Sequence, residues 1–144
     1  MNTKMPVDPF NSVAGVVGML GVAAHGMHVL WNEIESTQGA PDEIKSLKSE
    51  LQVVEAVIRS LEGQISNRAE QKPGLERSIT ICLSACERFG GQLSKWTKHS
   101  DNGTVQFRDS VTFALFGQKR VDTLWKQLQS CKSTVTMATS DAIL

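Results

Sequence analysis

Histidine and cysteine side chains at helical spacing are the residues of this sequence with the greatest capacity for chemistry. His25 and His28 lie three positions apart, and Cys82 and Cys86 lie four positions apart. On helices, each pair would lie on one face, and all four side chains are of types that bind zinc. Such pairs arise freely in helices, however, and no CxxC or HExxH spacing accompanies them. We therefore expect no metal site and no other cofactor, and we interpret the cysteines, Cys131 included, as small reduced core residues.

Catalysis by these side chains is not indicated. A cysteine nucleophile needs a partnered base, and His99 falls in a turn sequence. The sequence contains no phosphate-binding loop, no dinucleotide fingerprint and no carboxylate pair in an apolar context. We expect that the protein is not an enzyme. One other role remains open for His25 and His28: buried neutral in an apolar helix, they would loosen that helix on protonation. The alternative is that each contacts solvent or a backbone carbonyl.

The segment that carries the two histidines is uncharged from Pro9 to Asn32 and holds four of the eleven glycines. As a helix, residues 10–31 would extend roughly 33 Å, against about 30 Å of hydrocarbon in a bilayer. The segment is thus a buried core helix, a membrane span, or each in turn. Lys4 followed by an apolar run is also a partial match to a signal peptide. We reject this interpretation, because Asp8 lies in the supposed basic region and the helical pattern continues past the supposed cleavage point.

Small residues in this segment predict close contact with another helix. Ala14, Gly18 and Gly21 lie at spacings of four and three, and membrane helices use such residues to pack. Each glycine costs about 1 kcal/mol relative to alanine in a helix, so we expect close helix approach there to compensate. The residues that we expect to form a membrane-active helix are Phe10, Val13, Ala14, Gly15, Val17, Gly18, Leu20, Gly21 and Trp31.

Apolar residues at alternating spacings of three and four predict the remaining helices. The predicted ranges are 9–35, 41–65, 74–98 and 117–141, with Asp8 and Pro9 suited to start the first helix. The charged residues of the second helix, Glu55 among them, fall on the opposite face from its apolar stripe. The residues predicted to form the bundle core are Ile44, Leu47, Leu51, Val54, Ile58, Leu61, Ile79, Phe89, Leu93, Trp96, Leu124 and Leu128.

An all-α fold accounts for these patterns, because no segment alternates at period two for long enough to propose a sheet. We expect a single domain over residues 1–144: a four-helix bundle with the apolar N-terminal helix at its centre. Phe107, Phe113 and Phe116 predict a short extra helix that caps the core before the last long helix. The 15 basic and 15 acidic residues balance, which gives no reason to expect a nucleic-acid partner.

A set of short motifs extends along nearly the whole chain after Met5. These motifs are Asp8-Pro9-Phe10, Ser12-Val13-Ala14-Gly15-Val16-Val17-Gly18, Ala40-Pro41-Asp42-Glu43-Ile44 followed by Leu47 and Glu50-Leu51, Cys86 with Phe89, Leu93 and Trp96, Phe116-Gly117-Gln118, and Gln127-Leu128 with Cys131-Lys132-Ser133-Thr134. Together they resemble those of fungal HeLo-like N-terminal domains. A related domain in this group is named after protein L of azaphilone-pigment gene clusters.

The resemblance implies a role in fungal programmed cell death and heterokaryon incompatibility. Such domains head fungal NLR/STAND receptors and ankyrin-repeat proteins, and the wider group consists of helical bundles that oligomerise on a signal. For this chain it implies a cytoplasmic domain that forms homo-oligomers, relocates to the plasma membrane and inserts its first helix into lipid. An NLR or ankyrin sensor, in cis or in trans, is the further expected partner.

A second function remains open, namely a homotypic interaction or adaptor bundle with no membrane activity. A constitutive span usually carries Lys or Arg on its cytoplasmic side. Here Lys4 stands alone, and Asp8, Glu33 and Glu35 lie at the ends of the uncharged run. This favours regulated insertion or none over permanent insertion.

Overall fold

Five helices and three very short strands make up the protein in the computed structural model, which describes residues 12–64, 73–99, 103–108 and 110–143. The helices are α1 (Ser12–Ser36), α2 (Asp42–Gln64), α3 (Pro73–Trp96), α4 (Ser110–Thr112) and α5 (Gln118–Ile143), and the strands are β1 (Thr37–Gln38), β2 (Thr97–His99) and β3 (Val105–Phe107). The four long helices begin and end within a few residues of the predicted ranges. Asp8 and Pro9, the expected start of the first helix, lie outside the described residues.

Local sequence explains where α2 begins. Gly39 adopts a φ of +79° in the turn after β1, a conformation that glycine reaches without the strain a side chain would add. The carbonyl of Pro41 then accepts hydrogen bonds from the backbone N–H groups of Ile44 at 3.0 Å and Lys45 at 3.1 Å. Asp42 and Glu43 lie in the first turn, where their negative charge meets the positive end of the helix dipole.

The four long helices form the predicted all-α bundle, but α1 does not lie at its centre. α1 packs mainly on α2 and α3, and α5 packs on the same two helices from the other side. Each long helix is therefore one corner of a four-cornered bundle. Val22 and Val29 on α1 are 58% and 43% exposed, so the expectation of a fully surrounded first helix is wrong. Because small and apolar residues cover α1 on all sides, the sequence did not reveal which face turns outward.

The core lies between these four corners. The structure buries all of the residues that the helical patterns place in the core: Ile44, Leu47, Leu51, Val54, Ile58, Leu61, Ile79, Phe89, Leu93, Trp96, Leu124 and Leu128. α1 adds Leu20, Met27, Leu30 and Ile34 to them. Burial of such side chains contributes about 1.5–3 kcal/mol each relative to exposure, which makes this shared core the main source of stability.

A small three-stranded sheet, which the sequence did not predict, fastens one end of the bundle. β3 lies in the middle, parallel to β1 and antiparallel to β2. The sheet thereby joins the segments that follow α1 and α3, and the N–H of Arg108 donates to the carbonyl of Trp96 at 2.8 Å. Strands of two or three residues are too short to show a period-two pattern.

An aromatic cluster closes the same end, and a short helix precedes the last long helix as predicted. α4 runs into one π-helical turn, Phe113–Gly117, which continues into α5. The ring of Phe113 packs edge-on against Trp96 with centroids 5.3 Å apart and against Phe107 at 5.7 Å. Phe116 is 63% exposed, so its expected place in this cap is wrong.

Candidate functional site: the first helix and its anchor

The inner face of α1 is built into the core, whereas its outer face is open. The structure buries Leu20, leaves Val17, Gly21 and Trp31 partly buried, and exposes Gly15 and Gly18. Phe10 lies outside the described residues, as do the side chains of Val13 and Ala14. The predicted membrane-active residues are thus divided between two faces of the helix.

The outer face of α1, as the term is used below, consists of Gly15, Gly18, Val22, His25 and Val29. All five are exposed and follow one another at spacings of three, four, three and four, which places them along one side of the helix. No charged residue occurs on α1 before Glu33. An exposed helix face normally carries charged residues, so this face differs from that of an ordinary surface helix.

Within the bundle, α1 is closely approached at Gly21, as expected, and at Gly26, but not at Gly18. A Cβ atom at Gly18 would have no neighbour within 4 Å. At Gly26, in contrast, a Cβ atom would lie 2.7 Å from Cδ1 of Leu83 on α3, and at Gly21 it would lie 3.1 Å from Oε2 of Glu62 on α2. The contact that repays the glycines inside the monomer is therefore at Gly26 and Gly21, and the expectation for Gly18 is wrong.

A polar cluster around Glu55 holds the C-terminal half of α1 against α2. The indole Nε1 of Trp31 donates a hydrogen bond to Oε1 of Glu55 at 2.5 Å. Oε2 of the same carboxylate accepts from Nε of Arg59 at 2.8 Å and lies 3.3 Å from Nδ1 of His28. The ring of His28 meets that of Trp31 at 4.6 Å between centroids. Two residues of α1 and one of α2 thus share the Glu55 carboxylate.

Glu55 keeps its charge although it is only 8% exposed. Burial raises the pKa of this carboxyl group, but the hydrogen bonds from Trp31 and Arg59, with the positive charges of Arg59 and His28, outweigh burial. They hold the pKa of Glu55 below its ordinary value of 4.5. The position therefore contributes an ionised acceptor to the contact between α1 and α2.

Sequence reasoning placed Glu55 on the solvent face of α2 and missed this cluster. The available signal was its position: Glu55 lies four residues after Leu51 and three before Ile58, at the edge of the apolar stripe. A carboxylate at such an edge is buried only when the neighbouring helix supplies donors. Trp31 and His28 do so, and neither pairing is visible in one sequence.

The two histidines of α1 do not act as a pair. His25 is exposed on the outer face, whereas His28 is beside Glu55. Both side chains are exposed, so neither is buried within the helix as the acid-loosening hypothesis required.

The three cysteines lie in the core as reduced residues. The hydrogen bond to Cys82 and burial raise the pKa of the Cys131 thiol well above its usual range. For Cys82, the hydrogen bond with Cys131 lowers the pKa of the thiol. The hydrogen bond with Cys86 and burial raise this pKa by more, so the net shift is upward. Thiols in this state are poor nucleophiles. Across the residues that the structure describes, no group of three or more His, Cys, Asp or Glu side chains is placed to hold a metal ion.

Further contacts between helices are polar and lie nearer the surface. Oε2 of Glu50 on α2 accepts hydrogen bonds from Gln129 at 2.5 Å and Lys132 at 2.8 Å on α5. Lys48 on α2 lies 3.4 Å from Glu35 on α1. Among the described helices, none combines the length and the apolar character that a membrane span requires.

Comparison with known proteins gives one informative match. No curated protein and no solved structure matches the chain. The sequence model described as "pigment biosynthesis cluster protein PigL N-terminal" matches residues 7–144, in agreement with the resemblance seen in the sequence. Nearly the whole chain is covered, and the protein therefore belongs to the PigL N-terminal domain family.

Proposed function

We propose that the protein is a homotypic interaction module, in which the outer face of α1 docks on the same face of a second copy while the bundle stays folded. The observation that carries this proposal is the outer face itself: four exposed glycine and valine residues and one histidine at helical spacing, with no Asp, Glu, Lys or Arg on α1 before Glu33. Glycine at positions 15 and 18, with open space around Gly18, allows another helix to approach closely.

A second copy is the partner that this face fits best. Two identical faces that meet about a twofold axis bring like residues together. Like charges would oppose such a contact, and the outer face has none of them when His25 is neutral. Alternating spacings of three and four are also the pattern that packs two helices side by side.

The Glu55 cluster supports docking with α1 in place rather than with α1 released. If α1 left the bundle, Glu55 would lose Trp31 and His28 as partners. The inner apolar residues of α1, including Leu20 and Met27, would also lose their buried positions. Both changes cost free energy, and docking through the outer face requires neither.

A second candidate function is regulated membrane insertion of the first helix. The observation that favours it is the uncharged run from Pro9 to Asn32, from which no Asp, Glu, Lys or Arg side chain would have to enter lipid. In this mechanism, clustering of several copies would supply the free energy that releases α1 from Glu55.

One pair of measurements distinguishes the two functions. Sedimentation equilibrium of the 144-residue chain measures self-association, and dye leakage from liposomes measures membrane damage by copies clustered through a fused dimeriser. Val22→Glu and Val29→Glu place charge on the outer face and should weaken self-association at least tenfold. Met137→Glu, a matched change at a residue 67% exposed on α5, should leave it unchanged.

The combination of self-association and leakage distinguishes the two functions. Self-association that depends on Val22 and Val29, without leakage, supports the interaction module. Leakage by folded clustered copies supports the inserting helix and contradicts docking with α1 in place. A monomeric protein that shows no leakage in membranes of several compositions contradicts both functions.

A further inference from the structure

A groove between α3 and α5 is lined by several cationic side chains. Its volume is about 320 Å³, which is at the lower end of the range for small-molecule sites. Three of its lining residues are cationic: Arg88 and Lys95 from α3, and Arg120 from α5. Arg88 and Lys95 are seven residues apart, so they project from the same side of α3 two turns from each other.

No carboxylate lines this groove. The protein as a whole has no net charge, so three cations in one groove are a local concentration and not a general excess of positive charge. The groove between α1 and α3, in comparison, is lined by Glu33 and Glu87 and by no cation. The potential inside the α3–α5 groove is therefore positive, and anions are attracted to it.

The three cations are not engaged in ion pairs within the bundle. In the part of the chain that the structure describes, Arg88, Lys95 and Arg120 have no carboxylate within ion-pair distance. The acidic side chain nearest to Arg120 in the sequence, Asp122, accepts a hydrogen bond from Gln118 at 3.4 Å. The donors of the two guanidinium groups and the ammonium group thus remain available to a ligand.

The other residues that line the groove are neutral, some polar and some apolar, and they limit the kind of ligand that would fit. Gln92 on α3 and Thr123 on α5 also line the groove, so neutral polar groups lie beside the charges. Phe89 and Leu124 form part of its floor but are only 3% and 2% exposed, so they offer a ligand little surface. The apolar surface that a ligand would meet comes mainly from the aliphatic stems of the three cationic side chains.

We propose that the α3–α5 groove binds a small organic phosphate, a phosphate monoester with an apolar or aromatic body. A phosphate dianion balances more of the triple positive charge than a carboxylate does. Its oxygens also match the two-pronged donor geometry of arginine. The body of the ligand would lie along the aliphatic stems of Arg88, Lys95 and Arg120. This site is independent of the outer face of α1 and of the function proposed for it.

Titration of the 144-residue chain followed by backbone amide NMR tests the proposal. At fixed ionic strength, phenyl phosphate should give saturable shifts confined to residues 85–95 and 120–124. Inorganic phosphate should bind about tenfold more weakly, because it lacks the apolar body. Benzoate, with one negative charge, should also bind at least tenfold more weakly, and neutral benzyl alcohol should give no saturable shift.

Substitutions on the same two helices provide matched controls. Arg88→Gln and Arg120→Gln should each weaken phenyl phosphate binding at least tenfold. Arg77→Gln on α3 and Lys126→Gln on α5 remove the same charge from exposed positions outside the groove and should change the affinity less than twofold. The amide spectra of all four variants show directly whether each remains folded.

The results that overturn the proposal are distinct from one another. Shifts that do not saturate, or that fall equally in the control variants, would mean general charge attraction and no site. If benzoate binds as tightly as phenyl phosphate, the groove does not recognise phosphate specifically. If inorganic phosphate binds as tightly as phenyl phosphate, the organic body of the ligand contributes nothing to binding.

Discussion

Trp31 on α1 and Glu55 on α2 are joined by a hydrogen bond of 2.5 Å from the indole N–H to a carboxylate oxygen. The carboxylate is ionised, almost fully buried and shared with Arg59 and His28. The part of α1 before Glu33, which carries no charged residue, is thereby joined to α2 through a buried carboxylate. The contact places Trp31 toward α2, on a different side of the helix from the outer face.

The Trp31–Glu55 bond should contribute measurably to stability. Trp31→Phe removes the donor but keeps most of the apolar surface, so we expect a loss of about 1–2 kcal/mol in the free energy of unfolding. Urea denaturation followed by circular dichroism measures this loss. Trp125→Phe at a residue 39% exposed is the control and should change stability by less than about 0.5 kcal/mol. Equal effects of the two variants would mean that the bond contributes nothing specific.

The contribution of the Glu55 charge should depend on pH with a definite sign. Its pKa is lower in the folded protein than its ordinary value of 4.5, so the stabilisation is complete above that value. It is lost as the pH falls through the folded-state pKa. Wild type should therefore be more stable than Glu55→Gln by about 1 kcal/mol at pH 7, and the two should converge in acid.

Unfolding free energies measured between neutral and acidic pH test this sign. The control is Glu87→Gln on the exposed side of α3. It removes a carboxylate that has no ion-pair partner among the described residues, so it should change the free energy of unfolding little at any pH. A stability difference between wild type and Glu55→Gln that grows as the pH falls would contradict an ionised Glu55.

The helix patterns of α2, α3 and α5 could be predicted from the sequence because each has an apolar stripe and a charged face. One core lies between them, so burial follows the stripes directly. α1 has no charged face, and its orientation depends on Trp31, His28 and Gly26 meeting Glu55 and Leu83 across helix boundaries. Contacts of this kind depend on tertiary placement, which periodicity does not encode.

Charge on the core side of α2 should destroy the fold. Leu51→Asp and Ile58→Asp each place a carboxylate at a fully buried position without the donors that Glu55 has, at a cost of several kcal/mol. We expect loss of the cooperative melting transition in both. Val53→Asp is the matched control on the same helix, since Val53 is 45% exposed. A wild-type-like melting curve for either core variant would mean that the register of α2 is misassigned.

Two glycines of α1 should respond differently to the same substitution. Gly18 has open space around it, so Gly18→Ala should stabilise the monomer by about 0.5–1 kcal/mol through helix propensity alone. Gly26→Ala gains the same propensity, but its Cβ would lie 2.7 Å from Cδ1 of Leu83, so the Leu83 side chain must move and the gain in stability should be smaller than at Gly18. Denaturant unfolding of both variants under dilute, monomeric conditions measures the difference.

This comparison also separates structural from functional reasons for glycine at position 18. The bundle provides no packing reason for a residue that costs about 1 kcal/mol there. If Gly18→Ala stabilises the monomer and weakens self-association, glycine serves the contact between copies. If it stabilises the monomer and leaves association unchanged, the outer face of α1 is not the docking surface. If it destabilises the monomer, Gly18 has a packing role inside the bundle, and the open face described here is wrong.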